Sequence, residues 1–338
     1  MTDQTGDAEP ARAEGPVPGA APSDEVAAPP DDTLAAPSDD TLAAPPDLGA
    51  ATRRPATSLL TWGTAALVLV IVAALIVIKV TATPPTSTPS AAVSLAPASP
   101  SVVKAITTIP GSVYDTVGVT SSDATLTPPA LLRGQPRLTS GGKPDILFVG
   151  NEFCPYCAAE RWALVAALSR FGTFGDTLYA SQSGSDEAFP NTPTFTFYGA
   201  SYQSKYLAAT LVEHYGDQRN DAGTAYAVLE PLTTQEKALL AKYDRRTPGA
   251  PGGIVPFVDV ANEAVVTGGE FSPSVLQQLN ANEIATGLAD PTDPATQAIV
   301  ASANYLSAVI CRADGGLPAR VCTSSGVTAA AGALGLRP

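Results

Sequence analysis

From Leu59 to Ile78 the chain runs for twenty residues without a charge, dense in Leu, Val, Ile and Ala. At a helical rise of ~1.5 Å per residue such a run matches the ~30 Å hydrocarbon core of a bilayer. The sequence therefore predicts one transmembrane helix over 58–79, and no globular core is drawn through it. Trp62 stands near its first end, where an interfacial aromatic belongs. A cleaved signal peptide is the rival reading. It requires a short basic leader and a small-residue cleavage site, whereas a long acidic segment precedes this run and no Ala-x-Ala follows it. Arg53 and Arg54 lie before the run and Lys79 at its far edge, so the positive-inside rule places the N-terminus in the cytoplasm and the larger part of the chain outside.

The flanks of this helix read differently from the rest. Residues 1–57 hold eleven acidic side chains against three arginines, which is −8 of the chain's net −13. Aromatic and β-branched residues are almost missing there, so too little apolar surface exists to offset the entropy of ordering the segment. The tandem repeat Asp31–Ser38 and Asp39–Pro46 is too short for a solenoid. This stretch is predicted to be a disordered acidic cytoplasmic tail. Residues 80–101, rich in Pro, Ser and Thr, read as a tether. The folded part is expected over 102–323, with 324–338 a flexible C-terminus.

Within that part the pattern is α/β. Asp145-Ile-Leu-Phe-Val-Gly follows the turn signal Gly141-Gly142-Lys143-Pro144 and reads as a buried strand. After Cys154 the apolar spacing becomes helical, through Ala158, Trp162, Val165 and Ala166, and ends near Phe171-Gly172. Strands are predicted at Thr177–Ala180 and Thr194–Tyr198, while Tyr206–His214 fits strand or helix. Thr233–Tyr243 reads as a helix capped by Thr233 or Thr234 with Glu236 nearby. Ile254–Val260 and Ala264–Thr267 read as a hairpin turning at Ala261-Asn262-Glu263. Ser272-Pro273 is expected to open a helix, and a last helix to run from Pro294 to Cys311.

Four cysteines occur, as Cys154/Cys157 and Cys311/Cys322. The first pair lies in Phe153-Cys-Pro-Tyr-Cys-Ala158, where a strand feeds a helix. The opening turn of a helix has unpaired N–H groups and the positive dipole end, and both favour a thiolate. A thiol so placed drops from a pKa of ~8.5 into the ~3.5–7.5 range and becomes a nucleophile at neutral pH. Cys154 is thus the candidate attacking sulfur and Cys157 the resolving one. An inert disulfide and half of a zinc site are the rival readings; zinc wants four ligands, in two close pairs, and His214 is the chain's single histidine. No metal and no cofactor are expected. Cys311 and Cys322 are expected to form a structural disulfide, which needs an oxidising compartment; a second redox relay is the alternative. Glu160 and Glu152 are candidate proton shuttles for Cys157. The alternative is that Glu160 and Arg161 bridge along a solvated helix surface. Trp162 is read as core and His214 as structural.

Gly150-Asn-Glu-Phe-Cys-Pro-Tyr-Cys-Ala-Ala-Glu-Arg-Trp-Ala-Leu, Pro190-Asn-Thr-Pro-Thr and Ala303–Cys311 with Cys322 resemble the DUF929 family of thioredoxin-like proteins over about 102–323. Gly252-Gly-Ile-Val-Pro-Phe-Val-Asp is similar to the cis-proline loop of the thioredoxin superfamily, which implies that Val255 and Pro256 hold substrate opposite the CxxC motif. The wider similarity is to DsbA-like disulfide-forming proteins, and it implies an insertion over roughly 184–250. Pro155-Tyr156 between the cysteines resembles glutaredoxins instead, which leaves the direction of electron flow open. The resemblance implies an α/β, thioredoxin-like fold and a thiol–disulfide oxidoreductase, which the apolar run over 58–79 would anchor in the membrane. It would act on exported protein thiols or disulfides, with a membrane electron-transfer partner as a further candidate. A non-catalytic thioredoxin-like binding module of the cell envelope is the alternative. With about −5 of net charge left outside 1–57, nucleic acid is not an expected partner.

Overall fold

The computed structural model describes residues 95–220, 222–243 and 254–336. The predicted tail over 1–57, the spanning segment 58–79 and most of the tether lie outside the described residues. Among those described, no helix is long and apolar enough to cross a membrane.

The centre is strand β4 (Lys143–Asn151), whose side chains alternate between two cores as strand geometry requires. Ile146 and Phe148 enter the larger core, and Leu147 and Val149 the smaller one on the opposite face. Burial on both faces explains the nearly continuous apolar run. Beside β4 lie β7 (Ala208–Arg219), parallel to it, and β9 (Phe257–Val260), antiparallel to it. The sheet runs β2 (Ala130–Leu131), β10 (Ala264–Thr267), β9, β4, β7, β8 (Tyr226–Val228), with β3 (Thr139–Ser140) paired to β4. A second sheet of three strands holds β1 (Ala96–Pro97), β5 (Tyr179–Gln182) and β6 (Pro193–Thr196).

The larger core is covered by helix α3 (Pro155–Leu168) and by α6 (Pro294–Asp314), which pack on each other. Nearly every side chain of α3 is buried, so it is a central helix with no solvent stripe. Trp162, fully buried, donates its indole N–H to the Pro193 carbonyl at 2.8 Å. Helix α6 begins with Asp293 accepting from the Thr296 N–H and stops at Gly315, which takes the left-handed conformation that suits glycine at a helix end. Helices α1 (Pro100–Thr107), α2 (Gly111–Val117) and α5 (Ala281–Gly287) complete this layer. Helix α4 (Thr234–Tyr243) contributes Leu240 to the smaller core. Its start is the predicted capping box: Thr233 Oγ1 accepts the Glu236 N–H, and the Glu236 carboxylate accepts the Thr233 N–H.

One open reading is settled and several expectations are corrected. Tyr206–His214, open between strand and helix, is strand from Ala208 onward, where it becomes the parallel neighbour of β4. The described part of 184–250, expected as an insertion, holds β6, β7, β8 and α4, and β7 is a strand of the main sheet. Strand β5 starts two residues late, since the Thr177 hydroxyl closes the preceding turn by bonding the Phe174 carbonyl. Ser272-Pro273 opens only a 3-10 turn, Pro273–Leu276, after which Gln278 takes a positive φ and Asn280 caps α5 afresh. At the two ends the folded part exceeds 102–323. Ala96 and Pro97 pair with β5, and the expected flexible C-terminus contains α7's successor α8 (Ser325–Ala333), α7 being Ala319–Cys322. Val327 and Ala330 of α8 are buried, because its small side chains let it lie close against α2 and α6.

Candidate active site

Cys154 occupies the N-cap of α3 in extended conformation, and its sulfur accepts the Cys157 backbone N–H at 3.3 Å. Both cysteines are free thiols. Cys154 keeps 9% of its surface exposed and Cys157 none. The two sulfurs are driven apart electrically. The Cys157 thiol, as hydrogen-bond partner, holds Cys154 below the ordinary thiol range against the opposing effect of burial; the Cys157 N–H and the Arg161 charge help. Burial pushes Cys157 well above that range, reinforced by Cys154 and opposed by Arg161 and by the Asn151 backbone.

Around the pair stands an aromatic rim. Tyr156, 37% exposed, meets the edge of Phe189 at 6.0 Å, and Phe153 stacks on Tyr226 at 3.8 Å. The loop after β5 is tied to the motif by the Gly184 N–H, which donates to the Phe153 carbonyl at 2.8 Å. The start of β9 borders the motif as well. The Val255–Pro256 peptide is cis, and the Pro256 carbonyl accepts the Gly268 N–H at 2.8 Å. Gly269, at φ +88°, lies between the two: a Cβ there would sit 3.4 Å from Tyr156 and 3.6 Å from Pro256. Glycine suits this residue for both reasons, the conformation and the closeness.

Beneath the motif are charges that water does not reach. Arg161, fully buried, forks onto Glu213 of β7, Nε to Oε1 at 2.8 Å and Nη2 to Oε2 at 2.6 Å. Arginine keeps its proton in proteins, so this fork faces a carboxylate, although burial pushes the Glu213 carboxyl upward against the pull of Arg161. Any side chain at Gly150 would run into the Phe148 ring and approach Glu213. Glu152 is also buried, accepting the Ser181 hydroxyl at 2.6 Å and the Thr196 hydroxyl. Glu160 accepts the Glu270 N–H at 3.0 Å and is pushed by burial to about 7. Glu270, buried beside it, is raised further by burial and by Glu160 itself. The alternative of a solvated Glu160–Arg161 helix surface is thus overturned, because α3 has no such surface.

The remaining candidates have other partners. The His214 ring pairs through Nδ1 with the Glu230 carbonyl at 2.9 Å, in a structural role. Cys311 and Cys322 form a disulfide with Cα atoms 5.5 Å apart, within the span such a bridge allows. Among the described residues no group of three or more His, Cys, Asp or Glu side chains is placed to hold a metal ion.

A family model described as Domain of unknown function (DUF929) matches residues 134–312. The chain belongs to the DUF929 family. That match spans the cysteine motif, Glu152, Glu160, Arg161, Glu213, Pro256 and Cys311, and ends before Cys322, short of the 102–323 over which the resemblance was read. Neither among curated proteins nor among solved structures is there a match. Within the DUF929 region, sequence reasoning missed Glu213 and Glu270. Their one signal was a lone acidic residue among strand apolars at Val212-Glu213 and another directly after Gly268-Gly269.

Proposed function

We propose that this protein is a thiol–disulfide oxidoreductase with a thioredoxin-like fold. Its apolar segment over 58–79 is the membrane anchor in this reading, with the cysteine motif on the extracytoplasmic side. The observation that carries the reading is the asymmetry of one dithiol: Cys154 caps a helix, slightly exposed and drawn toward thiolate, while Cys157 is sealed beneath it and held as thiol. The sheet order supports the fold, with a parallel β4–α3–β7 unit followed by the β9–β10 hairpin and α6. The Cys311–Cys322 disulfide supports an oxidising compartment.

In this reading the Cys154 thiolate attacks one sulfur of a substrate disulfide. A mixed disulfide forms and the other substrate sulfur leaves with a proton. Cys157 then attacks Cys154, and the substrate is released as a dithiol while the chain becomes oxidised; oxidation of an exported protein runs the same steps backward. Val255 and Pro256, beside Tyr156, hold the substrate chain. Glu160, raised by burial to about 7, is the proton-shuttle candidate of this reading; Glu152 is occupied by two hydroxyl donors. The test is exchange with a peptide disulfide. The wild-type protein should turn over, and Cys157→Ser should accumulate a mixed disulfide through Cys154. A protein that forms neither product with any peptide disulfide is no oxidoreductase.

A further inference from the structure

The carbonyl of Asn151 is a shared acceptor. It takes the Cys154 backbone N–H at 3.2 Å and Nη2 of Arg161 at 3.0 Å. The turn that delivers the attacking sulfur is therefore pinned from below by a guanidinium. On α3 itself Arg161 follows Cys157 by four residues, so both lie on one helix face, ~5–6 Å apart at Cβ. Glu213 holds two of the guanidinium nitrogens in place, and Glu213 is fixed in turn by the Phe197 N–H at 3.2 Å. The third nitrogen, Nη1, is buried with no hydrogen-bond partner in the described structure. A buried cation with one donor unpaired costs stability, and away from water its charge acts strongly on the groups around it.

We propose that Arg161 is a positioning residue of the dithiol: through Asn151 it fixes the turn bearing Cys154, and its permanent charge supports the thiolate that Cys157 must form to resolve a mixed disulfide. This rests on the oxidoreductase reading. In that step the Cys157 sulfur bonds to Cys154, the bond from Cys154 to the substrate sulfur breaks, and the Cys157 proton ends on the departing substrate thiol. Cys157 is fully buried, so its anion lacks water, and an adjacent cation substitutes for it. Lysine would suit the task less well, since it loses its proton readily when buried. The titratable groups acting on the guanidinium are Glu213 from β7, Glu152 from the turn after β4, and the two cysteines. Glu160 and Glu270 form a separate pair that meets α3 from the segment after β10.

The experiment titrates Cys157 by thiolate absorbance in the full chain carrying Cys154→Ser, where it is the one remaining free thiol. Adding Arg161→Met with Glu213→Gln removes both charges together. The Cys157 midpoint should rise by about one pH unit, and in the Cys154 protein the resolving step at pH 7 should slow about tenfold, more than formation of the mixed disulfide. Glu213→Gln alone leaves the cation without its counter-charge and should lower the midpoint, a shift a purely structural role would not produce. Cooperatively melting variants whose midpoints coincide with the parent, or move the other way, overturn the assignment. If the wild-type chain exchanges with no peptide disulfide, the oxidoreductase reading fails, and the titration still decides what Arg161 does to Cys157.

Discussion

The two cysteine pairs sit on helices that pack against each other, yet at opposite helix ends. Cys154 caps the start of α3, where backbone N–H groups point at its sulfur. Cys311 lies in the last turn of α6, where the orphan groups are carbonyls; its own carbonyl accepts the Gly316 N–H at 2.8 Å. A helix start stabilises an anion and a helix end opposes one, each by ~0.3–1 kcal/mol at exposed sites and more when partly buried. A sulfur at the end of α6 is accordingly a poor thiolate and a poor leaving group, so its bridge to Cys322 resists exchange. In the proposed reading, one residue type in one domain takes a structural role or a reactive one according to the helix end it occupies.

The largest effect that sharpens this contrast is on exchange itself. Cys154→Ser should bring turnover of a peptide disulfide to the uncatalysed background, whereas Cys311→Ser with Cys322→Ser should keep it within about threefold of wild type. Comparable losses in both proteins would break the comparison. Next comes the support under Cys154 and Cys157. Glu213→Ala leaves a buried guanidinium without its partner and should lower folding stability by ~3–5 kcal/mol in denaturant titrations. Removing the Cys311–Cys322 bridge, which closes a short loop, should cost ~3 kcal/mol by the chain-entropy account, read as a lower melting temperature without loss of exchange.

The smallest effect is a slope. Glu160 is raised in the fold from the ordinary 4.5 to about 7. Between those values the folded chain keeps a proton that the unfolded chain has released, so stability falls as pH rises from about 4.5 to about 7 and levels off above. Glu160→Gln should flatten that stretch of the stability curve. A variant with the wild-type slope would show that Glu160 is ionised in the fold.

Local signals in the sequence reached far because local chemistry fixes those elements. The strand before the motif, the helix after it, the Thr233 cap and the hairpin at Ala261-Asn262 are each set by residues within a few positions. Ala261 and Asn262 do take the positive φ that a tight two-strand turn needs. Burial of charge is a non-local property. Arg161 reads as a surface residue until β7 brings Glu213 across from it, fifty-two residues away in sequence. Glu270 meets Glu160 only through the return of the chain after β10. The Gly- and Ala-rich residues after Cys322 carried too little apolar periodicity to announce a packed helix, since their fit to α2 and α6 comes from small size.

The central claim is that the sulfur at the start of α3 is a ready thiolate. Its direct measurement is the alkylation rate of Cys154, followed by mass on the Cys154 peptide, against pH in the Cys311–Cys322-bonded protein that keeps Cys157, compared with the same rate in urea. The account predicts that the folded midpoint lies below the unfolded one, which should be near ~8.5. A folded midpoint at or above the unfolded one would contradict it.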